Sequence, residues 1–134
     1  MKSNPLAIAY ESLGYVTDDV KKLKIDGVEA TVENIKNGTY KIARPLRVVY
    51  KPATVENSVN AAYLKFLQSD AAQKIVSAEG YVALVDNAQA YSPDSSLSGT
   101  INISGSTSLQ PLMIKLAAKF QELQSGVSVT VAGG

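Results

Sequence analysis

Apolar side chains recur at three- and four-residue intervals in two stretches of the chain, which is the spacing of one face of an α-helix. The first stretch predicts a helix over residues 56–67, and the second predicts one over residues 109–123. Ser69 is a favourable N-cap and Gly80 a favourable stop, so a further helix is predicted over residues 70–78. The positions expected to face the core are Val59, Ala62, Tyr63, Phe66 and Leu67 in the first helix and Leu112, Leu116, Ala117 and Phe120 in the last.

Short apolar runs and alternating segments predict the strands. Residues 6–10 form an apolar run after a proline and are predicted to be a buried strand. Residues 46–50 are rich in β-branched side chains and end in an aromatic residue, which also favours a strand. Residues 101–103 predict a third strand, and residues 127–131 alternate valine with polar residues as a half-buried strand does.

Turn-forming residues separate these elements. Asp26-Gly27 predicts a hairpin-type turn, while Thr31 is expected to cap a short helix that ends at residues 37–38. Residues 92–100 are rich in serine and contain a proline and a glycine, so they are predicted to be a linker. Strands that alternate with helices predict an α/β layer structure, in which residues 101–131 form one β-α-β unit.

The composition excludes several classes of function and leaves the predicted fold unchanged. The chain has 134 residues, 46% of them hydrophobic and 19% charged, which is ordinary for one globular domain. Its net charge of +1 predicts no nucleic-acid partner. The sequence contains no His and no Cys, which excludes imidazole bases, thiol nucleophiles and the usual zinc and copper ligands. Carboxylates are not clustered either, so we expect no enzyme activity and no cofactor.

Targeting segments are not evident in the sequence. No apolar run approaches the ~20 residues that a membrane helix needs. Pro5 precedes any apolar segment of useful length, so we expect no signal peptide in this chain.

The candidate chemistry lies in the turn Ser106-Thr107-Ser108, between a predicted strand and a predicted helix. The first N–H groups of a helix have no intrahelical acceptor and lie at the positive end of its dipole, so they attract anions. Hydroxyl side chains add further donors. The alternative interpretation is structural, because Ser108 in this position would also serve as an ordinary N-cap.

Two segments of the sequence resemble one family. Residues 101–134, INISGSTSLQPLMIKLAAKFQELQSGVSVTVAGG, resemble the N-terminal region of the phosphate-binding proteins of bacterial phosphate ABC transporters. Residues 1–91, through NPLAIAYESLGYV and AAYLKFLQSDAAQKIVSAEGYVALV, resemble the C-terminal portion of the same family. The order of the two segments is inverted relative to the family, which indicates either a circular permutation or a junction between tandem copies.

The resemblance implies a fold, a ligand and a partner. Residues 1–134 would form a single three-layer lobe of a type II periplasmic-binding-protein fold, with a mixed, mainly parallel sheet flanked by helices. Ser106, Thr107 and Ser108 would bind inorganic phosphate, and an ABC permease would be the protein partner. The parent protein would be extracytoplasmic, either periplasmic or lipid-anchored at the cell surface.

The same resemblance predicts that binding is weak in this chain alone. The family holds phosphate between two lobes, and the arginine and acidic contacts of the second lobe have no counterpart here. An anion held by one lobe stays half in water, where each contact contributes little. Two alternatives remain open: a non-binding scaffold that self-associates as a homodimer, and a site for another tetrahedral oxyanion.

Overall fold

The computed structural model describes residues 3–134. Short 3₁₀ turns occupy Leu13–Tyr15 and Pro52–Glu56 in the first half of the chain. The α-helices are α1 (Val32–Lys36), α2 (Ser58–Leu67), α3 (Asp70–Ala78) and α4 (Gln110–Leu123), and the strands are β1 (Gly99–Gly105) and β2 (Val127–Gly133). None of the helices within residues 3–134 has the length and apolar character required to cross a bilayer.

The two strands pair in parallel through the α4 crossover, which confirms the predicted α/β class and the β-α-β unit. Gly99 pairs with Val127 at one end of the ladder, and Gly105 pairs with Gly133 at the other. Ile101 and Val127 are buried, while alternate residues of both strands are exposed. Because the strands are parallel, their carboxyl ends lie at the same edge of the sheet.

Aromatic packing between α2 and α4 forms the centre of the core. Phe66 and Phe120 are fully buried, and their ring centroids lie 5.3 Å apart. The Tyr63 ring meets Phe120 edge-on at 5.0 Å, and Tyr91 packs against both phenylalanines. The helical spacing therefore identified the core correctly, because a buried stripe on each helix is what brings these rings together.

Side-chain caps set the boundaries of the three shorter helices. The Ser69 hydroxyl accepts the Ala72 N–H and donates to the Phe66 carbonyl, so α3 begins where predicted. Thr31 caps α1 as expected. Asn57 caps α2 by accepting the Val59 N–H at 2.9 Å, so this helix begins at residue 58 instead of 56.

The predicted hairpin turn forms between Ile25 and Val28, which exchange two backbone hydrogen bonds of 2.9 Å. Its central residues Asp26 and Gly27 have φ values of 51° and 81°, the left-handed pair that a type I′ turn requires. The Asp-Gly pair therefore predicted this turn correctly.

Two predicted strands are wrong. Residues 6–10 and 46–50 lie outside every helix and strand and join no ladder within the described part of the chain, and Leu6 lies in a turn. The prediction of burial at residues 6–10 fails too, because the exposed fraction is 93% at Leu6 and 99% at Tyr10. The sequence composition is that of a strand, but a strand also needs a neighbour for its N–H and C=O groups.

The first half of the chain is joined to the core at few points. No residue between 3 and 58 is buried, whereas buried residues begin at Val59. The Gly14 N–H donates to the Gly80 carbonyl at 3.0 Å, and Lys36 forms an ion pair with Asp86. The structure therefore consists of a packed body from Val59 onwards and a preceding segment without buried residues.

Removing the Tyr63 hydroxyl is expected to stabilise the protein. Tyr63 is 3% exposed, and its hydroxyl has no hydrogen-bond partner among the described residues. An unsatisfied buried hydroxyl is costly, so Tyr63→Phe should raise the free energy of unfolding by about 1 kcal/mol in urea denaturation at pH 7.

Burial of Tyr63 also predicts that the free energy of unfolding decreases at alkaline pH. Burial raises the pKa of Tyr63 to about 12, from an ordinary value of 10. Between pH 10 and 12 the unfolded chain loses this proton while the folded chain keeps it, so wild-type stability should fall with rising pH. The Tyr63→Phe variant should show a smaller fall, and equal pH profiles for the two proteins would contradict the assignment.

Candidate anion-binding site

The site lies at the carboxyl ends of β1 and β2, where parallel α/β units bind their ligands. The Gly134 N–H donates to the Gly105 carbonyl at 2.6 Å, which extends the pairing of the strands to this edge. The chain then passes through residues 106–108 and enters α4. The backbone turn and the start of a 14-residue helix are thus brought together at the end of the sheet.

Ser106 holds the turn and takes the role predicted for Ser108. Its carbonyl accepts the N–H groups of Leu109 and Gln110, both at 3.1 Å, and its hydroxyl accepts the Ser108 N–H at 3.3 Å. Helix α4 begins at Gln110, and its N-cap is Leu109 without a side-chain bond. The prediction that Ser108 caps a helix beginning at residue 109 is therefore wrong, because the first turn tightens around Ser106 instead.

Several donors of the turn are unpaired. The backbone N–H groups of Ser106 and Thr107 have no acceptor within residues 3–134. The hydroxyls of Thr107 and Ser108 make no hydrogen bond there either. All three residues are exposed. The structure thus places the three predicted residues in one turn, with adjacent amide and hydroxyl donors open to solvent.

Gly133 provides space next to the turn. A Cβ atom at this position would lie 2.5 Å from Gln110 Oε1 and 3.1 Å from Thr107 Cγ2. The Gln110 amide therefore occupies the room that a side chain on β2 would fill. No sequence pattern singled out Gln110, because its proximity to β2 arises only when the crossover folds back on the strand.

Tyr81 connects the turn at residues 106–108 to the segment formed by residues 1–91. Its hydroxyl donates to the Ser108 carbonyl at 3.4 Å. Burial raises the pKa of Tyr81, and the neighbouring Tyr15, Glu79 and Glu11 raise it further, so the hydroxyl keeps its proton at neutral pH. The contact joins residues that are 27 positions apart in the sequence.

The described residues contain no cluster that could hold a metal, and a cavity in the packed body lies away from the turn. No group of three acidic, cysteine or histidine residues that could hold a metal occurs in the described chain. A cavity of about 460 Å³ lies between the α2–α3 junction and residues 85–92, with Lys65 as its cation. It shares no residue with the turn. The turn itself contains only neutral donors, which suits an anion that is recognised by hydrogen bonds.

The chain is similar to named phosphate-binding proteins along nearly its whole length. It is 39% identical over 131 residues to the phosphate-binding protein PstS 2 of Streptococcus agalactiae, and 30% identical over 131 residues to PstS 2 of Streptococcus pneumoniae. It also superposes with a TM-score of 0.91, at 29% identity, on the crystal structure of a phosphate ABC transporter phosphate-binding protein from S. pneumoniae TIGR4. No protein-family model matches the chain.

The matches cover this chain almost completely but only part of the relatives. They take in 98% of this chain and 44% of each PstS 2 protein, and 99% of this chain and 51% of the crystallised chain. The chain therefore spans about half the length of the relatives that it matches. The chain is thus homologous, over nearly its full length, to about half of a phosphate-binding protein of phosphate ABC transporters.

Proposed function

We propose that this chain is part of the substrate-binding component of an ABC transporter for inorganic phosphate, and that Ser106, Thr107 and Ser108 hold the anion. The observation that carries the proposal is the set of unpaired donors in this turn, within a chain homologous to phosphate-binding proteins. These neutral donors bind an anion without adding a positive charge, and no catalytic step is required of them.

Residues 1–134 act as one lobe in this proposal. Residues 1–91 correspond to the family's C-terminal portion, residues 101–134 to its N-terminal portion, and residues 92–100 join them. Packing between the two segments supports a single lobe, because Phe66 lies against Phe120 and the Tyr81 hydroxyl donates to the Ser108 carbonyl. One lobe exposes the anion to water, so we expect weak phosphate affinity from this chain alone.

In the same proposal, the protein partner and the cellular location are those of the whole phosphate-binding protein. A phosphate-binding subunit delivers its ligand to an ABC permease, so the permease is the expected protein partner. Capture of phosphate before transport places the protein outside the cytoplasmic membrane. No cofactor takes part.

A phosphate titration followed by ¹H–¹⁵N NMR tests the site. Phosphate should shift the amide resonances of Ser106 and Thr107 most, because their N–H groups are free. Thr107→Val and Ser108→Ala remove one hydroxyl each and should weaken binding by about 3- to 10-fold, since each hydrogen bond contributes about 0.5–1.5 kcal/mol.

The control is Thr130→Val, which removes an exposed threonine hydroxyl from β2 within the same sheet. It should leave phosphate binding unchanged. Shifts spread over the surface, or equal affinity in all variants, would contradict the assignment of the site. Sulfate and arsenate titrations on the same samples show whether the turn prefers phosphate over other tetrahedral oxyanions.

Self-association is the second candidate function. The observation that favours it is the exposed apolar surface of the first half of the chain, where Leu6, Ile8 and Val49 are 93%, 78% and 89% exposed. Large exposed apolar surfaces mark interaction sites. Light scattering coupled to size exclusion would show a concentration-dependent homodimer if this candidate is correct.

A further inference from the structure

Gln110, the first residue of α4, has a half-buried side chain whose carboxamide forms no hydrogen bond within residues 3–134. The other glutamines that are buried or half-buried, Gln73, Gln121 and Gln124, all have hydrogen-bonded carboxamides. Polar groups withdrawn from water are normally paired, so an exception requires an explanation. Gln110 therefore brings a free donor group and a free acceptor to the start of the helix.

The position of this carboxamide depends on the absence of a side chain at Gly133. A Cβ atom there would lie 2.5 Å from Gln110 Oε1 and 3.1 Å from both Gln110 Cδ and Thr107 Cγ2. The Gln110 carboxamide and the Thr107 side chain therefore meet beside the same point of β2. Because Thr107 belongs to the turn with unpaired donors, Gln110 lies at the edge of the candidate anion site.

The free carboxamide has the chemistry that an oxyanion requires. Its Nε2 atom carries two N–H donors, while Oε1 is the atom nearest to Gly133. A neutral amide donor binds an anion without adding a positive charge, as the backbone N–H groups of the turn do. Neither polar atom of the Gln110 carboxamide is completely buried, so a dissolved anion can reach Nε2.

We propose that Gln110 is a further ligand of the anion held by residues 106–108. Its Nε2 donates to an oxygen of the oxyanion, and Gly133 provides the space in which the side chain takes this position. This inference rests on the proposed function, because it adds a donor to the same site. The site then includes a side chain of α4 itself as well as the turn that precedes the helix.

The side-chain NH₂ signals in ¹H–¹⁵N NMR spectra test the contact directly. The Gln110 pair is assigned by its absence from the spectrum of Gln110→Met. During a phosphate titration of this chain, it should shift together with the Thr107 backbone N–H and give the same Kd. The NH₂ pair of Gln68 is the control, because this exposed glutamine at the end of α2 also has an unbonded carboxamide. It should not shift.

Two substitutions at residue 110 test the donor. Gln110→Met keeps the length of the side chain without its N–H groups, so it should weaken phosphate binding by about 3- to 10-fold and leave Tm unchanged. Gln110→Glu places a carboxylate against the anion and should weaken binding more strongly at pH 7. Relative to wild type, that loss should be smaller at pH 4.5, because glutamate has an ordinary pKa of about 4.3. Gln68→Ala should bind as wild type does.

A double-mutant cycle tests the role of Gly133. Gly133→Ala should displace the carboxamide and weaken phosphate binding about as much as Gln110→Met does. Gln110→Ala removes the group with which the new methyl collides, so the double variant should bind as Gln110→Ala does. A further loss in the double variant would contradict the role assigned to Gly133.

Three results would overturn the inference: no phosphate response of the Gln110 NH₂ pair, full affinity in Gln110→Met, or a loss in Gln110→Glu that is the same at both pH values. If Thr107 responds to phosphate and the Gln110 pair does not, this inference alone fails. If no residue of the turn responds, the proposed anion site fails.

Discussion

Replacing Phe120 with Ala is expected to lower the free energy of unfolding by about 3–5 kcal/mol. Phe120 is fully buried, and its ring contacts Tyr63, Phe66 and Tyr91 at centroid distances between 5.0 and 5.8 Å. Truncation leaves a cavity where α2 and α4 meet, and the neighbouring rings cannot all close it. Urea denaturation followed by circular dichroism measures the loss.

The matched control lies on the same helix. Ile114 is 49% exposed, so Ile114→Ala should change stability by no more than about 0.5 kcal/mol. A similar loss for both variants would mean that α4 does not pack as described. Because α4 also begins at the Ser106–Ser108 turn, Phe120→Ala should reduce the phosphate-induced NMR shifts through unfolding, not through a change in the site.

Replacing Gly80 with Ala is expected to produce the second largest effect. Gly80 has a φ of 83°, and a Cβ atom there would lie 2.5 Å from the Cα of Gly14. The substitution therefore combines a left-handed backbone penalty of about 1–2 kcal/mol with an overpacking cost of about 1–3 kcal/mol. Thermal denaturation should show a clear decrease in Tm.

Two other glycines separate these contributions. Gly38 has a φ of 78°, but a Cβ atom added there would meet nothing within 4 Å, so Gly38→Ala tests the backbone penalty alone. Gly14 also approaches Gly80 closely but has no positive φ, so Gly14→Ala tests the collision alone. If Gly80→Ala cost no more than Gly38→Ala, the contact between Gly14 and Gly80 would be absent in solution.

The contact between Gly14 and Gly80 matters for the site because it lies next to Tyr81. The backbone bond from Gly14 to Gly80 holds the first half of the chain beside the residue that bonds to the Ser108 carbonyl. Detaching residues 13–15 would expose Tyr81 to more water. Its pKa, which burial raises, should then fall towards the ordinary value of a tyrosine.

Local signals predicted the second half of the chain well. The cap at Ser69, the stop at Gly80 and the buried stripe that includes Phe66 and Phe120 all lie where the sequence placed them. Each depends on a few neighbouring residues: a hydroxyl next to a free N–H group, a glycine that tolerates positive φ, or apolar spacing on one helix.

Signals that depend on distant partners were less reliable. Residues 6–10 and 46–50 have strand composition but join no ladder in the described residues, because composition does not determine whether a neighbouring strand is within reach. The start of α4 was misplaced at the turn for a related reason. Both Ser106 and Ser108 are good capping residues, and the path of β1 into the turn decides which one is used.

The sequence by itself determined the α/β class, the helices, the core and the turn that carries the candidate site, because all of these follow from short-range spacing and side-chain chemistry. Only the tertiary structure showed that the amides of Ser106 and Thr107 are unpaired, that Gln110 fills the space beside Gly133, and that residues 41–50 have no strand partner among the described residues. These features depend on where distant segments meet, and hydrogen-bond satisfaction is a property of the whole packed chain.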